Sequence, residues 1–460
     1  MTHHTAHRMR RLILLQLLSL ILFGVIVIRK AIGQQNAPVH LSLDQAIDLA
    51  IKQNYSVHLR SLVVDHMRSK KDEARSNYMP QMKTSGSVLH ITDLAGVAIP
   101  AGAFGRFPAT GPIPSQSLVV DQGSLTAYAG GVGLDQPLTQ LFRIHQQNVA
   151  AGQDVLIART QLDETQDDVA LQVRQLYYSI LVNRLRLEAS QEQLEAAGIK
   201  DGEAQKDVEQ GEALDLATIQ SKASVLEAQQ KLFTLKLQGR DLERKLANLL
   251  GLPIGTQIDL DSNLPPKMVD IPSRSEAVRF AMEKNQDIRA ARQTLEKAKA
   301  GLAAAKEAYI PDITGMSRYS YQSGVPFLVH NFGTFGFNLS YDLFDGGRRE
   351  TQVRGARTAV ISAQVTVDKL ESEVVVEIQA KYDRVDELRE MVGVVQQTVK
   401  VRTEAARLAN RQFEQTALLS GDRSQTKADL SNATALLLEA TLNLSLAEAE
   451  IKKTIGQMPR

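Results

Sequence analysis

There is no cysteine anywhere in the chain. That excludes a disulfide scaffold, a thiol nucleophile and a Cys-ligated zinc or iron–sulfur site. It also excludes lipidation at an N-terminal lipobox. An excess of one charge is equally lacking: 53 Lys and Arg stand against 52 Asp and Glu, for a net charge of +1. Proteins that grip nucleic acid by bulk charge carry a large basic excess, so that class is excluded as well. Proline is scarce and unevenly spread. The 14 prolines leave residues 138–252 and 327–458 without any, more than half of the 460 residues. Length alone suggests two or three ordinary domains, but gaps of that size point to something elongated and helical. The nine histidines are scattered, mostly before residue 100. No His-Glu-x-x-His, Gly-x-Ser-x-Gly or P-loop pattern occurs. The expectation is a protein that is not an enzyme and needs no cofactor or metal, with energy for any transport coming from a partner.

What is present begins at the N-terminus. Arg8, Arg10 and Arg11 precede an apolar run, Leu12–Ile28, and Ala31, Ile32 and Gly33 offer a small-x-small cleavage site before Gln34. This order reads as a secretory signal peptide over residues 1–33. An uncleaved anchor is the rival, since 17 residues is at the short end of a spanning helix. Either way, the rest of the chain is expected to be exported.

The chain also repeats itself. A shift of 231 residues lays Ser42, Asn54, Ala74, Tyr78 and Pro80 on Ser273, Asn285, Ala305, Tyr309 and Pro311. Both copies open with a capping box, Ser42 with Gln45 and Ser273 with Glu276, which satisfies free N–H groups at a helix start. Both end in Tyr-x-Pro, where proline disfavours helix in the residue before it. Further on the best shift is 205, with Leu134, Arg143, Gln220 and Gly251 meeting Leu339, Arg348, Gln425 and Gly456. The difference falls in Leu94–Ser124, whose five Gly and four Pro read as a long irregular loop. The domains expected are a first repeat over 34–251, a linker over 252–271, a second repeat over 272–456 and a tail over 457–460.

Each repeat reads helix, helix, strand, strand, helix, helix. Thr334–Leu343 alternates without a fault, with Phe335, Phe337, Leu339, Tyr341 and Leu343 on one face. Such alternation predicts a half-buried strand. Its partner is expected over Ile313–Tyr321, and the first-repeat strands over Met82–Ile91 and Thr126–Leu134. Nine of the 22 aromatic residues lie between Tyr309 and Phe344. That density suits the aromatic girdle of an outer-membrane barrel, although a soluble hairpin packed on a core would also carry it. The segments Leu138–Leu250 and Asp345–Ile455 are different in kind, free of proline and apolar at helical spacing. Leu162, Val169, Val173, Leu176, Ile180, Leu187 and Leu194 form a coiled-coil-like seam. Each segment predicts a hairpin of two long helices, turning near Glu209–Asp215 and near Gln415–Asp422. The first arm would be about 105 Å long at 1.5 Å per residue.

Four strands cannot close a membrane barrel, because the smallest have about eight. An open sheet edge in lipid would leave backbone groups unpaired at several kcal/mol each. Strands that span would therefore have to be shared among several chains, with the helices projecting as a hollow conduit. At this point the sequence resembles the TolC-like outer membrane efflux proteins over nearly the whole mature chain. The resemblance rests on the duplicated opening at Leu43–Asn54 and on Tyr78, Pro80, Tyr309 and Pro311 before the strands. Its most specific part is the strand–helix junction Leu343, Phe344, Asp345, Gly346, Gly347, Arg348 and Arg349.

The resemblance implies a mainly α fold with a small membrane β-barrel. Long antiparallel hairpins would form an α-barrel tunnel, and four strands per chain would form the 12-stranded barrel of a homotrimer in outer membrane lipid. It implies a passive exit duct of a tripartite efflux or type I secretion system, partnered by a periplasmic adaptor (membrane fusion) protein and an inner-membrane transporter. It further implies a periplasmic gate at Asp422 and Gln425, and adaptor-contacting tips at Gly211, Ala213, Leu214, Thr416, Leu418 and Leu419. Clustered carboxylates in a narrow pore would attract cations. The alternative for Asp422 is a helix cap, a common role for Asp. The first repeat departs from the family pattern: Pro137–Arg143 keeps only the leucine and arginine of the junction, and Ala217 stands where an acid would. Thr416 replaces a glycine in the second. A periplasmic coiled-coil adaptor or spacer is the rival reading, and an exported enzyme a third. The alternating strand at Thr334–Leu343 argues against the spacer, which has no use for a lipid-facing face.

Overall fold

The computed structural model describes residues 39–121, 123–253, 255–261, 270–324, 329–415 and 417–459. The expected leader, part of the linker and the tip residue Thr416 lie outside the described residues. The chain begins with β1 (Val39–Leu41), α1 (Leu43–Gln53) and α2 (Tyr55–Ser76), followed by β2 (Gln81–His90). The segment Leu94–Ser124, expected to be irregular, instead holds β3 (Gly96–Ile99), β4 (Arg106–Phe107), β5 (Gly111–Pro112) and β6 (Leu118–Asp121). These pair as two nested antiparallel ribbons, β3 with β6 and β4 with β5. Valine-bearing stretches account for the outer ribbon, where Val97 pairs with Val120, and Gly111 at φ +75° lets the chain turn into β5 in the inner one. Then come β7 (Thr126–Pro137), α3 (Gln140–Glu209), α4 (Asp215–Leu249) and β8 (Ile258–Leu260). The second half contains α5 (Arg274–Lys284), α6 (Gln286–Glu307), β9 (Asp312–Ser323), β10 (Asn331–Ser340), α7 (Arg348–Glu414) and α8 (Ser420–Thr454).

The molecule is mainly helical, and its long axis is set by α3 and α7, of 70 and 67 residues. Each is about 100 Å long at 1.5 Å per residue. The predicted hairpins are asymmetric, because α4 and α8 have 35 residues each, about half the length of their partners. The remaining flank of α3 is covered by α2 on one side and α6 on the other. In one layer the order is therefore α4 or α2, then α3, then α8 or α6, then α7.

The broken columns are joined by two buried asparagines. Asn54 both ends α1 and caps α2, accepting from Ser56 N at 2.8 Å, while its Nδ2 donates to Leu249 O at the end of α4 at 3.0 Å. Asn285 accepts from Ile288 N at 3.1 Å, and its Nδ2 donates to Thr454 O at the end of α8 at 2.9 Å. Both capping boxes expected at Ser42 and Ser273 are formed.

The apolar core gathers at these breaks. Ile47, Val173, Tyr177, Ile180, Leu246 and Leu250 pack in one cluster; Ile288, Ile378, Val385, Ile451 and Ile455 pack in another. Burial of side chains of this size stabilises by about 1.5–3 kcal/mol each. Tyr177 Oη donates to the carbonyls of Leu41 and Asp261, 3.1 Å from each, and so ties α3 to the small parallel pair β1–β8. Tyr382 Oη donates to Pro272 O at 2.6 Å just ahead of α5.

At the other end β10, β9, β7 and β2 form one antiparallel sheet in that order. The register puts Phe335, Phe337, Leu339, Tyr319, Val132 and Met82 on one face, with Lys83, Asp135, Arg318 and Asn338 on the other. Phe335 and Phe337 are 91% and 75% exposed. Arg318 Nη2 donates to Ser85 Oγ across the polar face at 2.9 Å. Strand β10 stops at Ser340, short of the predicted Leu343, because Asp342 is already engaged by Arg348 at 2.9 Å in the turn towards α7. Among the described residues no helix is long and apolar enough to cross a membrane.

Candidate functional site: the helical tips and the strand–helix junction

The end of the helical layer far from the sheet is made by two turns. After α3, Gly211 adopts φ +77°, Ala213 N donates to Asp207 O at 3.2 Å, and Leu214 precedes α4 in extended conformation. After α7, Ala417 N donates to Gln412 O at 2.9 Å, and Leu419 precedes α8. Leu214 and Leu419 are 79% and 62% exposed, while Leu418 is half-buried. The two turns thus present leucines to solvent at one end of the molecule.

Asp422 does not cap α8. The capping position is Leu419, which has no side-chain hydrogen bond. Asp422 lies in the first turn, where the helix dipole favours an acid, and its Oδ1 pairs with Lys200 Nζ of α3 at 3.1 Å. Gln425 is engaged one turn on: Gln193 Nε2 donates to its Oε1 at 3.4 Å, and its own Nε2 donates to Asp429 Oδ1 at 3.0 Å. Gly421 lets the helices meet. Its N–H donates to Glu203 Oε1 at 2.9 Å, and an added Cβ would lie 2.6 Å from Lys200 Cγ. Sequence reading missed Lys200, Gln193 and Glu203. They lie more than 200 positions from Gly421, Asp422 and Gln425, so they can be identified as partners only once α3 and α8 are known to be neighbours.

The junction is built around Asp345 and Arg349, whose side chains are only 10% and 13% exposed. Asp345 accepts from Arg349 Nε at 2.8 Å, Arg349 N at 3.1 Å and Gly347 N at 3.0 Å. The Arg349 guanidinium above all, with the two backbone N–H groups, holds this carboxyl down at about 2. Gly346 and Gly347, at φ +68° and +83°, supply the left-handed turn that a side chain would strain. Arg349 also donates to Asp342 O and stacks 4.7 Å from the Tyr341 ring. Leu343 and Phe344 are 92% and 90% exposed. The degenerate first-repeat junction is held differently. Arg143 pairs with Asp312 at 3.3 Å, and Thr139 Oγ1 donates to Pro311 O at 2.7 Å while accepting from Ile313 N at 2.8 Å. Among the described residues no three His, Asp or Glu side chains gather as a metal site.

A layer of paired long helices carrying a half-apolar sheet at one end and two short turns at the other defines a TolC-like channel protomer. The family described as "Outer membrane efflux protein" matches residues 46–252 and again 278–457, and the chain belongs to it. The outer membrane efflux protein BepC of Brucella suis biovar 1 (strain 1330) is 26% identical over 179 residues. That match spans 39% of either chain. The Campylobacter jejuni CmeC outer membrane channel superposes with a TM-score of 0.72 at 16% identity, covering 91% of this chain and 87% of that one. CusC superposes with a TM-score of 0.70, also at 16% identity, covering 92% and 95%. Likeness at these identities is a likeness of fold.

Proposed function

We propose that three copies of this chain form a passive exit duct in the outer membrane, with the helices forming a tunnel in the periplasm. The observation that carries this reading is the sheet. Its apolar face is open to solvent, its polar face is opposite, and β2 and β10 each leave one edge unpaired among the described residues. In lipid such edges must be paired, and three four-stranded sheets joined edge to edge make 12 strands. The outer columns of the helical layer support the same closure. Ile219, Leu226 and Phe233 stand exposed every seventh residue on α4, as do Val394, Val401 and Leu408 on α7. Two such stripes from neighbouring copies suit a coiled-coil seam.

The two family matches and the equal lengths of the short helices, 11 and 22 residues in each half, favour a tandem duplication over 34–251 and 272–456. The exposed Leu214 and Leu419 turns would meet the periplasmic adaptor of a tripartite efflux or type I secretion assembly, with an inner-membrane transporter supplying the energy; the purified chain is then expected to hydrolyse no nucleotide. Asp422, repeated three times, would ring the narrow end. Fractionation followed by sizing of the detergent-extracted protein tests the reading. A trimer from the outer membrane is expected, and a monomer in the soluble periplasm contradicts it. For the gate, single-channel recording of Asp422→Ala should show weakened block by divalent cations, and unchanged block removes Asp422 from that role.

A further inference from the structure

Two adjoining cavities open along one face of α3, between α4 and α8. The larger, about 450 Å³, has Val182, Leu242, Leu442 and Leu446 in its wall. The smaller, about 240 Å³, is lined by Ser190, Gln193, Lys231 and Asn432 over a floor of Leu235 and Leu436. Arg186 borders both. Their chemistry differs. Asp241 and Glu439 line the larger, and Glu439 pairs with Arg186. No acidic residue lines the smaller, and Lys231 faces it without a carboxylate partner among the described residues. Ser190 is 2% exposed, yet its hydroxyl has no hydrogen-bond partner. A buried hydroxyl left unpaired costs free energy that a ligand oxygen would return.

These cavities share a face with the tip residues. Ser179, Arg186, Gln193 and Lys200 recur every seventh residue on α3, as do Gln425, Asn432, Glu439 and Leu446 on α8. Lys200 and Gln193 are the partners of Asp422 and Gln425. Tyr177, which binds the β1–β8 pair, lies two residues from Ser179 and so on the opposite side of α3, about 200° around at 100° per residue.

We propose that the two cavities form one binding subsite for an amphiphilic organic carboxylate. The carboxylate accepts hydrogen bonds from the Lys231 ammonium, the Ser190 hydroxyl and the Asn432 amide. The alkyl body passes Arg186 and lies among Val182, Leu242 and Leu442. Ser190 and Val182 are about 12 Å apart along α3 at 1.5 Å per residue, within reach of an eight-carbon chain. That this face is the tunnel wall, and the subsite one that cargo meets in transit, rests on the duct reading; the pocket's chemistry does not.

Octanoate titrated calorimetrically into the detergent-extracted full-length protein tests it. One saturable site per chain is expected, and octanol and octyltrimethylammonium should fail to displace it. Lys231 is exposed, so its replacement leaves the fold intact. Lys231→Glu should weaken binding about tenfold or more, as loss of a charge-assisted contact implies, while Lys231→Arg stays within about threefold because the charge is kept. Absence of saturable binding, equal affinity of the wild type and Lys231→Glu, or displacement by octyltrimethylammonium would each overturn the subsite. Single-channel conductance of the same preparation reads the duct separately. Protein that conducts but does not bind octanoate overturns the subsite alone; protein that binds in a Lys231-dependent way but never conducts overturns the duct and leaves the subsite.

Discussion

The single side chains that matter most to this fold are polar ones placed where helices break. Asn54 and Asn285 each cap one helix and hold the end of another. Replacement by Ala removes a cap and a buried hydrogen bond, about 1 kcal/mol each. Asn54→Ala and Asn285→Ala should therefore each lower unfolding stability by about 2 kcal/mol in denaturant titration. Tyr177 adds a pH signature. Burial pushes its phenol up to about 12, against an ordinary value of about 10. The folded state holds the protonated form, so this contribution is whole below pH ~10 and is lost as pH climbs towards 12. Tyr177→Phe should flatten the alkaline loss of stability across that window. Asp345 works in the opposite sense. Held at about 2 by Arg349, it stabilises the junction above the ordinary carboxylate range, and that contribution falls away as pH drops towards 2. Asp345→Asn should abolish that acid-side dependence. The sequence aligned Asn54 with Asn285 at a shift of 231, and the two tyrosines differ by the later shift of 205, but their partners were not legible. Leu249, Thr454 and Asp261 become neighbours only when the columns stack. Lys200 was hidden for the same reason, lying 222 positions from Asp422.

Among the elements, those with strong periodicity were legible and those set by registry were not. The long α3 and α7 followed from the missing prolines and the apolar seam, whose central Val169, Val173 and Ile180 are buried. Strand β10 followed from its alternation, although its end was set by Asp342. The ribbons inside Leu94–Ser124 were missed because strands of two to four residues carry too little pattern to distinguish from a loop. The half length of α4 and α8 was legible, since the expected turns and the segment ends enclose the 35 residues each contains, and Gly251 and Gly456 at φ +69° and +67° end them. That α2 and α6 take over their columns was not. The sheet's two faces predict opposite responses. Phe337→Arg, on the apolar face, should cost about 2–4 kcal/mol near the bilayer midplane and reduce protease-resistant protein in outer membranes. Ser87→Arg points to the polar side with Lys83 and should be tolerated.

At the scale of the whole molecule, near-neutral charge, exposed apolar stripes and a half-apolar sheet suit the proposed assembly of several copies. In that assembly β2 of one copy is expected to pair with β10 of the next, and the ring to close at three. The absence of native cysteine makes this directly measurable. Within one chain β2 and β10 are separated by β7 and β9, hence by about 14 Å at 4.7–4.9 Å per strand. A disulfide needs Cα atoms within about 7 Å, so no bond can form between those strands inside one chain. Chains carrying one cysteine on β2 and one on β10, stepped through neighbouring registers and oxidised in outer membranes, should give a reducible ladder that ends at the trimer. Monomer alone at every register, or a ladder running on past three, would contradict the account.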